Sequence, residues 1–180
     1  MDKSKGFTLI ELLISSVIVV IISGVAISIF IAAIKVQNRM IAYEKILDNT
    51  SYVMERMSRF MRMAQKDKTA TCLSAANMNY ELTAQGIKFL SYHTTPQCIE
   101  YYLSGTQLRE KIIVGGNTVD NPISPSTIDV VSFHVTGQGW DQSDNVQPRV
   151  TIYLEVKEKN SLIPAVRLQT SITQRNLDTE

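Results

Sequence analysis

The sequence predicts an α+β protein in which one long N-terminal helix packs on an antiparallel β-sheet. Three observations support this class. Residues 12–34 form an uncharged apolar run, and residues 35–66 contain no Gly or Pro and repeat apolar residues with helical spacing. Several runs within residues 67–180 alternate apolar and polar residues with the period of a strand. Because a helix laid across a sheet buries the apolar face of each, we expect these elements to form packed layers.

The composition restricts the classes of protein that the chain can form. Its 180 residues include 18 Lys and Arg against 17 Asp and Glu, so the formal net charge is only +1. Charged residues at 19% and apolar residues at 44% are typical of a folded chain. The neutral balance argues against a strongly basic surface, and we predict no nucleic-acid contact. Two cysteines and two histidines are too few for a four-ligand zinc finger, and we predict no metal site and no cofactor.

The apolar run from Leu12 to Ile34 is long enough to cross a membrane. It has 23 residues without a charge, whereas a helix rises about 1.5 Å per residue and the hydrocarbon core is about 30 Å thick. A buried core helix is one alternative, but such helices rarely lack a polar face over this length. A secretory signal peptide is the other, although its apolar region usually has roughly 7–15 residues. We therefore predict a membrane-spanning helix.

Glu11 is the one charge in an apolar segment that begins at Phe7. A charged residue at bilayer depth costs roughly 2.5–3.5 kcal/mol on insertion scales, and such residues are usually paired or functional. Either Glu11 lies shallow enough to reach the lipid headgroups, or it pairs with a cation. No Lys or Arg occurs between Gly6 and Ile34, so that cation must come from outside the span.

The segment around Glu11 resembles the class III signal of type IV prepilins and type II secretion pseudopilins. The resemblance rests on a basic leader that ends in glycine, then an aromatic residue, a glutamate and an apolar helix: Lys3-Ser4-Lys5-Gly6 followed by Phe7-Thr8-Leu9-Ile10-Glu11-Leu12-Leu13. The order, spacing and context of these residues agree with that signal. The resemblance implies a leader peptide over residues 1–6, a transmembrane and filament-core helix over residues 7–34, and a pilin-like fold.

The same resemblance implies how the chain matures and assembles. A prepilin peptidase would cut after Gly6 and methylate the new N-terminal residue, Phe7. Glu11 would pair with the N-terminal amine of a neighbouring subunit and so fix the axial register, because a buried ion pair is costly to break. The implied partners are other pilins or pseudopilins through the N-terminal helix, the prepilin peptidase, membrane lipid, and an inner-membrane assembly platform driven by a separate ATPase. The chain departs from many major pilins at Ser28, where they carry a helix-kinking Pro.

Residues 35–66 are predicted to continue the same helix as an amphipathic extension. Apolar residues recur in alternating four- and three-residue steps beside a second row, which widens the stripe to one helix face. The rows are Val36, Met40, Tyr43, Leu47, Thr50, Met54, Met57, Met61 and Ala64, and Ile46, Val53 and Phe60. We expect the protein's own sheet to cover this stripe, with part of it packing on neighbouring subunits. The weak point of this helix is Asn49-Thr50-Ser51, where a kink or a frayed turn could form, because these residues favour local backbone hydrogen bonds.

Residues 67–180 are predicted to form a C-terminal antiparallel head domain. The β-rich runs are 87–92, 98–103, 107–114, 128–135, 149–157 and 166–173. Alternation with one polar face predicts a sheet of about four to six strands that is covered on one side. Polar segments punctuated by Gly and Pro, at 114–125 and 136–148, are predicted loops. Residues 55–65, just before the head, resemble the helix end of minor pilins and of the J-type minor pseudopilin.

Cys72 and Cys98 are 26 positions apart. An extracytoplasmic domain is oxidising enough to join them in a disulfide. In the chain-entropy model, closing such a loop contributes roughly 3–4 kcal/mol where the geometry permits. Two free, buried cysteines are the alternative.

The remaining candidate residues carry weaker signals. Asp141, Asp144 and Asn145 could supply oxygen ligands to calcium, but their spacing does not fit an EF-hand loop and acidic loops are usually only solvated. Trp140 is expected either to plug the sheet end or to be an exposed contact, and burial is the commoner fate. His93 and His134 lie in strand-like runs, and no G-x-S-x-G, P-loop, H-E-x-x-H or dinucleotide pattern is present. We therefore predict that the chain is not an enzyme.

Together these features predict a structural subunit of a type IV pilus or type II secretion pseudopilus, of the minor, initiating or tip kind. Before assembly it would cross the cytoplasmic membrane once, with the head extracytoplasmic, and afterwards it would lie in the pilus or pseudopilus, in the periplasm or at the cell surface. Basic residues flank both ends of the span, so charge does not decide the orientation. The alternative is a single-span, membrane-anchored extracytoplasmic binding or adhesion domain.

Overall fold

A single helix precedes all the strands in the part of the chain that the structure describes. The computed structural model describes residues 6–92, 95–140, 146–160 and 163–175. Helix α1 spans Leu9–Arg62. The strands are β1 (Ala64–Gln65), β2 (Tyr80–Thr83), β3 (Gly86–Tyr92), β4 (Pro96–Ser104), β5 (Gln107–Val114), β6 (Asn117–Pro122), β7 (Ile128–Gln138), β8 (Arg149–Glu158) and β9 (Val166–Thr173). The predicted α+β, pilin-like class is confirmed.

The chain divides into two compact units, residues 1–42 and residues 43–180. The first unit contains the N-terminal part of α1, and residues 6–41 are all exposed. The second unit contains the C-terminal part of α1 and the strands. The predicted division of the helix between residues 34 and 35 stays a prediction.

The C-terminal part of α1 differs from its predicted course at two places. Residues 49–51 remain helical, because Asn49 Nδ2 and Thr50 Oγ1 donate to main-chain carbonyls one turn back, at 2.8 and 2.6 Å, and do not pull the backbone out of the helix. No frayed turn forms there. The helix ends at Arg62 instead of residue 66, because Ala64 and Gln65 pair with β3 as a short strand.

The strands form two antiparallel sheets, whereas the sequence predicted one. The first has six strands in the order β1-β3-β4-β5-β6, with β2 also paired to β3, and the second has the order β7-β8-β9. Each of the six predicted β-rich runs lies within one of these strands.

Strand β6 was predicted as loop, and that prediction is wrong. Its residues are all exposed, so no alternation of apolar and polar residues marks it. Val114 pairs with Asn117 across Gly115 and Gly116, whose φ angles are 55° and 86°. Two consecutive residues with positive φ are typical of the tight type I′ hairpin turn, for which Gly-Gly is a favoured sequence.

One hydrophobic core joins the end of α1 to the inner faces of the two sheets. Met57 and Met61 from the helix are fully buried in it with Phe89 of β3. The predicted apolar stripe is therefore confirmed from Thr50 onward and at Ile46, whereas Leu47 is 43% exposed. Its beginning is not covered, since the side chains of Val36 and Met40 are 53% and 64% exposed.

Trp140 is half-buried and packs against the ring of Tyr80, with ring centroids 5.4 Å apart. Its Nε1–H donates to the carbonyl of Arg149 at 3.2 Å. A Cβ on Gly137 would lie 2.0 Å from the indole, so only glycine leaves room for the ring there. The further candidates His93, Asp141, Asp144 and Asn145 lie outside the described residues.

Candidate functional site

The N-terminal candidate residues lie just before and within the first turn of α1. Gly6, Phe7 and Thr8 are not helical, and Phe7 is 77% exposed. No atom lies within 4 Å of the place where a Cβ on Gly6 would be. The Gly6–Phe7 peptide bond is therefore in exposed, non-helical chain that a peptidase can reach. Residues 1–5 of the predicted leader lie outside the described residues.

Thr8 is the N-cap of α1. The amide of Glu11 donates to Thr8 Oγ1 at 3.4 Å, and the amide of Leu12 donates to the Thr8 carbonyl at 3.2 Å. Thr8 and Glu11 have the spacing of a capping box, and the acidic side chain also lies at the positive end of the helix dipole. The sequence reasoning missed this second role of Glu11, although the pattern Thr-x-x-Glu before an apolar run signals it.

The carboxylate of Glu11 is exposed, and it has no ion-pair partner in the described part of the chain. The cation that the sequence led us to expect is therefore not supplied by this chain's described residues. The first turn of α1 therefore presents the carboxylate of Glu11 at the surface, where a cation from another molecule can reach it.

The apolar run within α1 satisfies its own polar groups. The hydroxyls of Ser15, Ser16, Ser23 and Ser28 each donate to a main-chain carbonyl three or four residues earlier, at 2.7–2.9 Å. In hydrocarbon an unsatisfied polar group costs several kcal/mol, so these bonds fit the run to a lipid or protein interior. Helix α1 is long and apolar enough to cross a membrane.

A comparison with protein families decides what this N-terminal arrangement is. A family model described as the prokaryotic N-terminal methylation motif matches residues 1–27. The chain carries a type IV prepilin-like signal. That signal implies processing by a prepilin peptidase and assembly with other pilins, and with the apolar helix it supports a membrane-anchored, type IV pilin-like protein. Searches of curated proteins and of solved structures gave no match.

The prepilin-like signal and the disulfide belong to different units of the chain. Cys72 and Cys98 are bonded, with an S–S distance of 2.08 Å, and the bond joins the segment after β1 to β4. Phe7 and Glu11 are in the first unit, and both cysteines are in the second. Among the described residues, no three His, Cys, Asp or Glu side chains are grouped as metal ligands would be.

Asp67 organises the turn that presents Cys72. Its fully buried carboxylate accepts the main-chain amides of Thr69, Thr71, Cys72 and Leu73, at 2.6–3.3 Å, and the hydroxyl of Thr71 at 3.1 Å. Burial alone would raise the pKa of Asp67, but the four amide hydrogen bonds together outweigh it and lower the pKa to about 2. No sequence pattern that we used pointed to Asp67.

We expect the stability that Asp67 contributes to disappear in acid. Because its pKa is lower in the folded state, this contribution is complete above the usual value of 3.8 and is lost as the pH falls through about 2. Asp67→Asn should therefore lower the free energy of unfolding by about 2 kcal/mol at pH 6, which corresponds to the shift from 3.8 to about 2, and the difference should vanish near pH 2.

The measurement is denaturant unfolding of the full chain in detergent at several pH values. Asp48→Asn, on the exposed face of α1, is the control and should leave the unfolding curve unchanged. A difference between wild type and Asp67→Asn that stays constant down to pH 2 would contradict the ionic role of Asp67.

An ion pair connects α1 to the inner face of the first sheet. Arg56 donates to both carboxylate oxygens of Glu110, with Nε–Oε1 at 3.1 Å and Nη2–Oε2 at 2.6 Å. Tyr101 donates its hydroxyl to Glu110 Oε1 at 2.8 Å. The Glu110 side chain is only 4% exposed, whereas that of Arg56 is 36% exposed and lies over the Phe60 ring.

The electrostatics of this group follow from its burial and its partners. The hydrogen bond to Glu110 raises the pKa of Arg56. Burial first, and then the adjacent carboxylate, raise the pKa of Tyr101, so the hydroxyl stays protonated and remains a donor. The sequence analysis missed Glu110, although a signal was present, because Glu110 shares its strand parity with the buried Leu108. We infer that this group sets the register of the helix on the sheet.

Proposed function

We propose that this protein is a structural subunit of a type IV pilus or type II secretion pseudopilus, of the minor, initiating or tip kind. A prepilin peptidase cleaves it after Gly6 and methylates the new amine of Phe7. A cytoplasmic-membrane assembly platform, driven by a separate ATPase, then moves the chain from lipid into the filament beside other pilins.

The main support for this proposal is that the prepilin-like signal runs directly into helix α1. The methylation motif ends at residue 27, inside a helix that begins at Leu9 and reaches the hydrophobic core of the sheets at Ile46. An ordinary membrane anchor has no need for a processing motif at its tip. A filament subunit needs both the motif and a helix that leads into the head.

The disulfide supports an extracytoplasmic head. Disulfides persist in oxidising compartments and are rare where glutathione and thioredoxin keep thiols reduced. The Cys72–Cys98 bond lies in the second unit, with the strands. The head therefore belongs to the periplasm or to the cell surface.

Glu11 is the residue that we assign to assembly. Cleavage after Gly6 creates an ammonium at Phe7, and Glu11 presents an exposed carboxylate about one helical turn along the chain. In a filament the helices exclude water, so the amine of one subunit and Glu11 of its neighbour neutralise each other. An incorrect axial register would leave both charges buried and unpaired, at a cost of several kcal/mol.

Three features favour a minor subunit. Ser28 occupies the place where many major pilins carry a kinking Pro, and its hydroxyl bonds to the Gly24 carbonyl inside α1. The disulfide links the segment after β1 to β4, whereas many major pilins close a loop near the C-terminus. The resemblance of residues 55–65 to minor pilins and to the J-type minor pseudopilin points the same way.

The intact mass of the protein purified from its host tests the proposal. We expect the mass of residues 7–180 with the disulfide formed and one added methyl group, and fragmentation that places the methyl group on the amine of Phe7. The same protein from a host that lacks the prepilin peptidase serves as the control and should retain Met1.

A membrane-anchored binding or adhesion domain would give a different result. It would keep Met1, or lose a segment that ends elsewhere, and would carry no methyl group on its N-terminal amine. Such a result, with the protein fully functional, would overturn the proposal.

A further inference from the structure

An open groove of about 510 Å³ separates β7 of the second sheet from the end of the first sheet. Residues 131–135 of β7 line one wall, and residues 82–86, which run from the end of β2 into β3, line the other. Leu103 and Gly105, at the turn between β4 and β5, complete the lining. None of these lining residues is Asp, Glu, Lys or Arg, so the groove is uncharged.

Strand β7 is an unprotected sheet edge along this groove. It is the end strand of the second sheet, and no described strand pairs with its outer edge over residues 131–138. Natural edge strands usually carry Lys, Pro or other blocking residues, because a free edge can pair with another chain. The end strands β6 and β9 follow this rule, with Asp120 and Pro122 on β6 and Arg167 on β9. Residues 131–138 contain no charge and no Pro, and the bulge at Val131 is their one protective device.

The first sheet contacts the second on either side of the groove. Before it, the amide of Val130 donates to the carbonyl of Thr106 at 2.9 Å. After it, the Trp140 ring packs on that of Tyr80. Between these contacts, the five residues of β7 that line the groove extend over about 17 Å, at roughly 3.4 Å per residue. The groove therefore has room for an extended segment of about five residues.

The apolar inner face of the first sheet continues from the core into the groove. Leu82 has the strand parity of Tyr80, which is 1% exposed, and it pairs with the fully buried Ile87. Leu82 itself is 51% exposed. On the opposite wall, Phe133 is buried and lines the same groove. An apolar side chain placed between the walls would therefore cover Leu82 and extend the core.

Two hydroxyls in the walls lack a hydrogen-bond partner. Thr83 Oγ1 on β2 and Ser132 Oγ on β7 are buried, and nothing in the described chain bonds to either oxygen. Each unsatisfied buried group in a folded protein calls for an explanation. A polypeptide between the walls brings amides and carbonyls that both side chains can meet by rotation about χ1. The acyl chain of a lipid brings no such groups.

The wall formed by β2 and β3 is held in place by the end of α1. Tyr80 Oη donates to the carbonyl of Met61 at 2.8 Å, and Ser91 Oγ donates to that of Phe60 at 3.2 Å. The amide of Arg175, just after β9, donates to the carbonyl of the last helical residue at 2.8 Å. These bonds tie both sheets to one helix end, so the groove is preformed, as binding sites usually are.

The presence of two walls decides what kind of strand can enter. Every strand in the described part of this chain already belongs to a sheet. A strand in a sheet brings a neighbouring strand about 4.8 Å beyond it, and residues 82–86 occupy that place in the groove. A second copy of the chain therefore cannot insert one of these strands, whereas a single extended segment fits between the walls.

We propose that β7 binds an extended, uncharged segment of about five residues from a partner protein by strand addition. The main chain of the segment pairs with residues 131–135, and its alternate side chains are apolar and cover Leu82. In this mode of recognition the main-chain hydrogen bonds provide affinity and the alternate side chains provide specificity. The contact uses residues of the second unit only, and it goes beyond the function proposed for the N-terminal helix.

Synthetic peptides test this contact. Each probe has Thr at positions one, three and five, and Ala, Val, Ile, Leu or Phe at positions two and four. The N-terminus is acetylated, and an added C-terminal lysine carries a fluorescent dye. Fluorescence anisotropy measures binding to the full chain in detergent, with protein-free micelles as the blank. We expect at least one probe to bind saturably with a Kd below about 1 mM and to slow hydrogen exchange of the amides of residues 131–135. No saturable binding by any probe would overturn the proposal.

A change in the peptide backbone separates strand addition from binding to an apolar surface. The best probe is N-methylated at its three central residues, which keeps the side chains and removes the amide donors. Its Kd should rise at least about tenfold, because the hydrogen bonds to β7 are lost. Equal binding of the methylated probe would show that the groove takes any apolar chain, including a lipid tail, and would refute strand addition.

Two variants of the protein locate the bound peptide. Val131→Lys places a charge on the edge, and Leu82→Ser removes an apolar contact, so each should raise the Kd of the best probe about tenfold. Both side chains are about half exposed, and the unfolding midpoint shows whether the fold is retained. Val119→Lys, at a 51% exposed position on β6, is the matched control and should leave the Kd unchanged. Unchanged binding by Leu82→Ser, or equal weakening by the control, would contradict the assigned site.

Co-purification of two differently tagged copies tests the choice of partner. Leu82→Ser in both copies should leave it unchanged, and its loss would show that a second copy occupies the groove. None of these measurements depends on cleavage after Gly6. A chain that keeps Met1 can still bind the probe, and a chain that is processed and enters filaments can fail to bind it, so the two proposals are decided separately.

Discussion

Glu11→Ala is expected to leave cleavage after Gly6 intact and to lower incorporation of the chain into filaments by at least about a hundredfold. Without the carboxylate, the amine of the neighbouring Phe7 would enter the filament interior unpaired. Breaking a buried ion pair by removing one partner costs about 3–5 kcal/mol, which corresponds to this factor or more. The measurement compares the chain in sheared filaments with the chain left in the membrane.

Two controls separate the charge of Glu11 from its place in the first helical turn. Glu11→Gln keeps the length of the side chain and removes the charge, so it should fail in the same way as Glu11→Ala. Thr8→Ala removes the N-cap oxygen but keeps the carboxylate, and it should assemble nearly normally. Normal incorporation of Glu11→Ala would show that Glu11 does not select the register.

Arg56→Met is expected to lower the free energy of unfolding by about 3 kcal/mol at neutral pH. The substitution keeps most of the packing on Phe60 but leaves the carboxylate of Glu110 buried with Tyr101 as its remaining hydrogen-bond donor. Loss of one partner from a buried pair costs about 3–5 kcal/mol, and the lower figure applies because the Arg56 side chain is 36% exposed. Denaturant unfolding of the full chain in detergent measures the change.

The same experiment distinguishes a lost charge partner from a lost contact. The added substitution Glu110→Leu, with Tyr101→Phe, should recover most of the loss, since a well-packed apolar group can replace a buried ion pair. Arg167→Met, which breaks the exposed pair with Glu155, is the matched control and should leave the unfolding midpoint unchanged. A large loss in this control, or no recovery in the triple variant, would contradict the buried-charge explanation.

Much of the fold could be predicted because its signals are local. The helix was predicted from an uninterrupted apolar run followed by a stripe of apolar residues that repeats every seven positions. Each predicted strand was recognised because apolar residues alternate with polar ones along its buried face, as Val150, Ile152 and Leu154 do in β8. Strand β6 has no buried face, so only its Gly-Gly turn marked it. The division into two sheets lies between β6 and β7, which do not pair in the described chain, and alternation within each run does not indicate which neighbouring runs pair.

The candidate sites also differ in whether their residues are adjacent in the sequence or are brought together only by folding. Phe7 and Glu11 belong to a contiguous motif, which made them visible in the sequence. The partnership of Arg56 and Glu110 joins residues 54 positions apart, and strand parity indicates that Glu110 points inward without indicating its partner. Asp67 could not be predicted, because its role depends on four backbone amides that only the folded turn brings together.

The bonds at the C-terminal end of α1 have a mechanical consequence. The helix is tied to β2 through Tyr80, to β3 through Ser91 and to the segment after β9 through Arg175, each by a separate hydrogen bond to a different carbonyl. Tension applied along the helix is therefore shared among three attachments and reaches both sheets, whereas a single attachment would carry the whole load. A head fastened in this way can be pulled by its helix without unravelling from that end.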